Sequence, residues 1–167
     1  MTILKYGAPS LRETSRPVEK FDDGLKNLAE DMFATMYAAP GIGIAAPQVG
    51  VNIRLIVIDT SGGKEPDKKI VLCNPRIVTS AGTQEGDEGC LSVPDFSENV
   101  KRPMKVAVEA QSIKGESFRI EGEGLLARAL CHEIDHLNGV MFVDLLSPLK
   151  RTLIRGKIKK LTKAGKW

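Results

Sequence analysis

No apolar run in this chain is long enough to cross a membrane; the longest, such as "LIVI" at 55–58, are the length of a strand. The opening "MTILKYGAPSLRE" has no charged stretch leading into a long apolar one, so no export leader is expected. Cysteine is scarce. Cys73, Cys90 and Cys131 are an odd number, which excludes a fully paired disulfide framework and suits a reducing cytoplasm. Histidine is scarcer, with only His132 and His136, and no Glu follows Glu133. The last 18 residues, 150–167, contain no acid at all but eight Lys and Arg. Since the whole chain carries +3, residues 1–149 carry −5. The body is mildly acidic and the tail strongly basic, so the overall charge gives no warrant for a nucleic-acid-binding core.

What remains is an ordinary globular composition, 42% apolar and 27% charged, in 167 residues. That length suits one domain, 1–167, and is short for two. In "DDGLKNLAEDMFATMYAAPG", Leu25, Leu28, Ala29, Met32, Phe33, Met36 and Tyr37 recur at helical spacing, with Asp before and Pro40-Gly41 after. "IRLIVIDT" (53–60) reads as a buried strand, and "IVLCNPRIVTS" as a strand interrupted at Pro75. "KVAVEAQSI" and "SFRIEGE" flank a hairpin turn at "KGE". A second helix should start near Gly124 and stop at Gly139. "VMFVDLL" reads as a short strand. A last helix over 147–163 has Ser147 as N-cap and Pro148 at its first position. Without a βαβ rhythm, the expected class is α+β: antiparallel or mixed sheets around a central helix, with a C-terminal helix.

That central helix carries "CHEIDH", residues 131–136. His132 and His136 are four apart and share one helix face, where two imidazoles can hold one metal ion with Glu133 as a base. A catalytic site needs a third protein ligand and an open position for water. The zinc endopeptidase pattern takes that ligand from downstream, yet Phe142 stands where HExxHxxGxxH has its last His. Asp144, the sole downstream carboxylate, lies in an apolar run. Upstream, "EGDEGCLSVP" (85–94) offers Cys90 in a glycine-rich stretch, and a thiolate is a strong ligand for a borderline ion. Cys131 points about 100° away around the helix. Cys73 reads as a core thiol. Cys90 alone would read the same way, but beside an incomplete HExxH it becomes the candidate third ligand.

Three segments together resemble the peptide deformylase family: "GIGIAAPQ" (41–48) for GxGxAAxQ, "EGCLS" (88–92), and "HEIDH" (132–136) for HExDH, in the family's order and spacing. The resemblance implies removal of the formyl group from N-formyl-Met peptides and nascent chains, releasing formate. It implies that Cys90, His132 and His136 hold the metal, iron(II) (Fe2+) in the cell; the ligand types also admit zinc, nickel or cobalt (Zn2+, Ni2+, Co2+). Glu133 would act as general base and then acid. The side-chain amide of Gln48 and the backbone N–H of Leu91 would stabilise the oxyanion. Ile42, Gly43 and Gly89 would bind substrate main chain. Ile42, Ile44, Leu91 and Leu125 are candidate walls for the methionine side chain. Two positions depart from the family's commonest form. Cys131 stands where Gln is frequent, and Ser97 stands near a frequent Arg, with Lys101 and Arg102 further on.

In the basic tail, Leu149, Leu153, Ile154, Ile158 and Leu161 should pack on the body with lysines outward. Its charge also suits an anionic partner, and for a deformylase that partner would be the ribosome, met through residues 150–167. A monomer is the expected state. The competing readings are an HExxH zinc endopeptidase and a non-catalytic, metal-stabilised ribosome-binding module.

Overall fold

The structure, a computed structural model, describes residues 1–167. Its elements are α1 (Asp23–Ala38), β1 (Gly43–Ala45), β2 (Leu55–Ile58), β3 (Ile70–Ala81), β4 (Gln84–Cys90), β5 (Val93–Arg102), β6 (Lys105–Gln111), β7 (Ser117–Glu123), α2 (Leu125–Leu137) and α3 (Pro148–Lys163). One antiparallel sheet has the order β1-β2-β3-β6-β7, and β4-β5 form a separate hairpin. The class is the expected α+β. No helix is long and apolar enough to cross a membrane.

The alternation of β1 and β2 explains the layering. Ala45, Ile56 and Ile58 pack with Ala127, Leu130, Ile134 and Leu137 of α2. Ile44, Leu55 and Val57 turn the other way, to Leu25, Ala29, Met32, Phe33 and Met36 of α1. The inner strands are thus apolar on both faces, which is why "LIVI" shows no polar alternation. Each such fully buried side chain contributes about 1.5–3 kcal/mol. α2 lies against β7 because Gly122 has no side chain; a Cβ there would come within 2.8 Å of Leu130 Cδ1. A third cluster joins Val93 and Val100 of β5 to Met141, Phe142, Ile154 and Ile158.

Helix ends follow the sequence. Asp22 caps α1 by accepting from Leu25 N–H, Ser147 caps α3 by accepting from Lys150 N–H, and Gly139 (φ 72°) follows the end of α2. Other expectations need correction. β3 runs through Pro75 without a break. Asn74 takes the left-handed conformation (φ 52°) and the register shifts there, so a bulge absorbs the proline. "VMFVDLL" is no strand: Phe142–Leu145 form a 3-10 turn. The Asp144 carboxylate accepts from Met141 N–H at 2.9 Å and pairs with Arg12, closing the turn. An apolar run alone does not tell these outcomes apart. In α3, Ile154 and Ile158 are buried, but Leu149 and Leu153 are exposed. They lie roughly 100–180° around the helix from Ile154 and Ile158.

Candidate metal centre and active site

α2 presents His132 and His136 on one face, and β4 ends at Cys90 directly against it. The three side chains offer ligand atoms that all lie within 4.8 Å of one another. Cys90 Sγ is 3.3 Å from His136 Nε2, which is 3.3 Å from His132 Nε2. A third donor that the downstream sequence lacks is therefore offered from upstream. Cys131 is buried outside this group, as its helical position requires, and burial pushes the Cys73 thiol up to about 11, as befits an inert core thiol.

Glu88 orients the group. It is buried, and its carboxylate accepts from Arg102 Nε (3.0 Å) and Nη2 (2.7 Å), from Arg128 Nη1 (3.0 Å), and from His132 Nδ1 (2.7 Å). Arg102 also reaches Asp135 at 2.7 Å. Burial opposes ionisation of Glu88, but the bonds from His132 and Arg102 outweigh it and hold the carboxyl at about 2. With His132 Nδ1 committed to Glu88, Nε2 is left facing Cys90 and His136. Burial works against charge on His132, yet its bonds to Cys90 and Glu88 prevail and keep its pKa well above the ordinary value. Burial, with His132 adjacent, drives His136 well below it. His136 thus presents a neutral ring.

Two nitrogens and a sulfur converge at distances where the three lone pairs would repel unless a cation or a shared proton lay among them. The Cys/His/His donor set suits a borderline divalent ion. The residues present fit a metal.

Glu133 also points into this space. Its Oε2 is buried with no hydrogen-bond partner. Burial pushes its carboxyl up to about 7, against the opposing influence of His132. Gln48 is buried beneath β1. Its Oε1 accepts from Ala45 N–H at 2.8 Å, which fixes the amide so that Nε2 faces Ser92 Oγ (3.1 Å) and Cys90 Sγ (3.6 Å).

A family model described as polypeptide deformylase matches residues 1–152. The chain belongs to the polypeptide deformylase family. A peptide deformylase of Acidobacterium capsulatum is 51% identical over 165 residues, covering 99% of this chain and 97% of that protein. A crystal structure of a peptide deformylase from Legionella pneumophila superposes with a TM-score of 0.91 at 52% identity, covering 98% of this chain and 95% of that one. The Arabidopsis thaliana peptide deformylase 1B in complex with an inhibitor gives 0.92 at 41% identity, covering 98% and 91%.

In this member of the deformylase family, the site opens into a cleft of about 750 Å³. Ile42 and Gly43 line it from the start of β1, Gly89, Cys90 and Leu91 from the end of β4, and Leu125, His132 and Glu133 from α2, with Gln48 also in the lining. Gly43 fits only because it lacks a side chain; a Cβ there would lie 2.6 Å from Glu133 Oε1. The structure thus brings the residues named from the sequence to one place, with one exception. Ile44 is in the core against α1, because β1 alternates and turns it away from the α2 side that Gly43 faces. Glu88, Ser92, Arg102 and Arg128 were not singled out by sequence reasoning. Two of them sit within "EGCLS", but nothing in the pattern pairs Glu88 with two arginines 14 and 40 positions away. Arg102 is sequestered with Glu88 and Asp135, and Lys101 pairs with Glu85 on the surface. Ser97 borders the cleft, and neither Lys101 nor Arg102 lines it.

Proposed function

We propose that this chain is a metal-dependent hydrolase that removes the formyl group from the N-terminal formyl-methionine of nascent polypeptides, with Glu133 moving the proton. The observation that carries the assignment is the convergence of Cys90, His132 and His136 beside an unpartnered Glu133, in a chain of the deformylase family.

Cys90, His132 and His136 would hold one divalent ion, which when bound supplies a Lewis acid for the carbonyl and for a water. We take iron(II) as the cellular ion, with zinc, nickel or cobalt accepted by the same donors. Glu133 accepts the proton of the attacking water as its oxygen bonds to the formyl carbon. It then gives that proton to the amine nitrogen as the C–N bond breaks, so that formate and a free amino terminus leave and Glu133 returns to its starting state. Negative charge develops on the formyl oxygen between these steps. Gln48 Nε2 and the Leu91 backbone N–H donate to it; the pinning of Gln48 Oε1 by Ala45 supports this role. Ile42, Gly43 and Gly89 hold the peptide main chain in extended form. Ile42, Leu91 and Leu125 receive the methionine side chain.

Residues 1–167 act as one catalytic domain, monomeric and cytoplasmic, with 147–163 as its basic helix. We assign residues 150–167 to a ribosome contact, supported by eight cationic side chains without an acid. Unchanged ribosome co-sedimentation at low salt after deletion of 150–167 would remove that assignment.

The test of function is formate release from formyl-Met-Ala-Ser by anaerobically prepared protein, with bound metal quantified on the same sample. Release is expected, and the Glu133→Ala protein should bind the ion without turnover. A sample with one ion per chain and no release would refute the deformylase assignment.

A further inference from the structure

The family model ends at residue 152, yet the chain's last residue reaches back to the cleft. Trp167, the sole tryptophan, is half-buried. Its Nε1 donates to Tyr6 O at 2.9 Å. Its ring meets the Phe96 ring edge-on, with centroids 6.1 Å apart and planes at 64°. Lys5 Nζ lies 5.6 Å from the same ring on the N-terminal segment.

One partner of Trp167 lines the site, and the other is bonded to a residue beside it. Phe96 lines the cleft, and its strand neighbour Ser97 lies opposite Gly89 in the hairpin register. Tyr6 N–H donates to the carbonyl of Ser92, whose hydroxyl accepts from Gln48. The hairpin β4–β5 belongs to no larger sheet; Glu88 and Arg102 tie it to α2, and further support comes from behind. Its inner face is Phe96, Glu98 and Val100. Val100 packs with Ile154 and Ile158, Glu98 pairs with Lys150 at 3.0 Å, and Phe96 meets Trp167. The first two contacts hold the base of the hairpin. Trp167 alone of the tail holds the part beside the cleft mouth.

We infer that Trp167 is a positioning residue for peptide binding: by seating Phe96 it fixes the wall of the groove that receives the substrate beyond its formyl-methionine. It touches no reacting atom. The inference rests on the deformylase assignment for its substrate and adds to it a dependence on chain length, because a substrate too short to reach Phe96 gains nothing from a fixed wall.

The experiment compares the parent, Trp167→Ala and Trp167→Phe proteins on formyl-Met-Ala and on the longer formyl-Met-Ala-Ser-Ala. For Trp167→Ala, KM for the longer peptide should rise about threefold to tenfold, the range expected for one lost aromatic pair. Its kcat, and both constants for the short peptide, should stay within about twofold, and Trp167→Phe should restore the loss. An unchanged ratio of the two KM values, or an equal loss on both substrates, would overturn the inference. Tryptophan emission of the unmodified protein, titrated with Met-Ala-Ser-Ala, reads the same contact without turnover. A saturable shift is expected, and flat emission also overturns the inference. Absence of formate release from the parent would instead count against the deformylase assignment, with the emission titration still deciding whether Trp167 senses a peptide.

Discussion

Gly43→Ala is a one-methyl change whose effect can be worked from distances. The new Cβ would stand 2.6 Å from Glu133 Oε1, 3.0 Å from Cγ and 3.1 Å from Cδ. Ordinary contact begins near 3.4 Å, so the carboxylate must retreat by about 0.8 Å. The backbone gives no relief to appeal to, because Gly43 is paired with Ile58 inside the sheet and its φ is not in the left-handed region. Glu133 has little room either, being buried on a helix whose two histidines converge on Cys90. Displacing a catalytic group by that order of distance costs about 100-fold in rate. Overpacking of a tight site costs about 1–3 kcal/mol of stability, which in a chain of this size lowers Tm by roughly 2–10 °C. The assay is formate release at saturating peptide, with bound metal and Tm measured on the same preparation. The expected result is a large fall in kcat with one ion still bound, since the three atoms nearest the new methyl all belong to Glu133. A Gly43→Ala protein that turns over within threefold of the parent would refute both the placement of Glu133 and its role as the proton carrier.

Three further outcomes follow from the charges and the exposed surface. Glu88→Gln leaves Arg102 and Arg128 without their shared carboxylate. It should cost about 3–5 kcal/mol in urea unfolding, and a loss below about 1 kcal/mol would show that the arginines find other partners. In the parent, Glu88 is held at about 2 against an ordinary value of 4.5, so its folded pKa is depressed. Its stabilisation of roughly 3 kcal/mol is therefore complete above about pH 4.5 and lost as pH falls through 2; the part of the acid-unfolding slope in that window should vanish in Glu88→Gln. Leu149→Ser and Leu153→Ser should shift stability by no more than about 0.5 kcal/mol in the same assay, whereas Ile158→Ala should cost at least about 2 kcal/mol.

The sequence is most legible where one interaction decides the outcome. Asp22 and Ser147 mark helix starts because each supplies the oxygen that an exposed N–H needs. The convergence of Cys90 on His132 and His136 is legible for a similar reason: two histidines at i and i+4 call for a third donor, and few residues can supply it. What escapes is decided by partners far away in the chain. The run 140–146 has no local property that separates strand from turn; Arg12, which pairs with Asp144, settles it. Ile42 and Ile44 look alike in "GIGIAA", but the strand begins between them, so only Ile44 is bound by its alternation. Leu149 and Leu153 are as apolar as Ile154 and Ile158, and only the placement of α3 against the cluster of Leu11, Val100 and Phe142 decides which ridge is covered. The Glu88 cluster joins three elements, and no short motif contains them all.

That cluster has a consequence for how the chain can change over time. Glu88, Arg102, Arg128 and His132 are written at four separate places, yet each satisfies a charge or a proton belonging to another. Glu88 is the partner common to the other three, so its loss strands all of them, whereas loss of one arginine leaves Glu88 its remaining donors; substitutions within the cluster should therefore not add. Ser97 and Trp167 stand outside that cluster. Specificity for the rest of the peptide can drift along the groove while the ion's surroundings stay fixed.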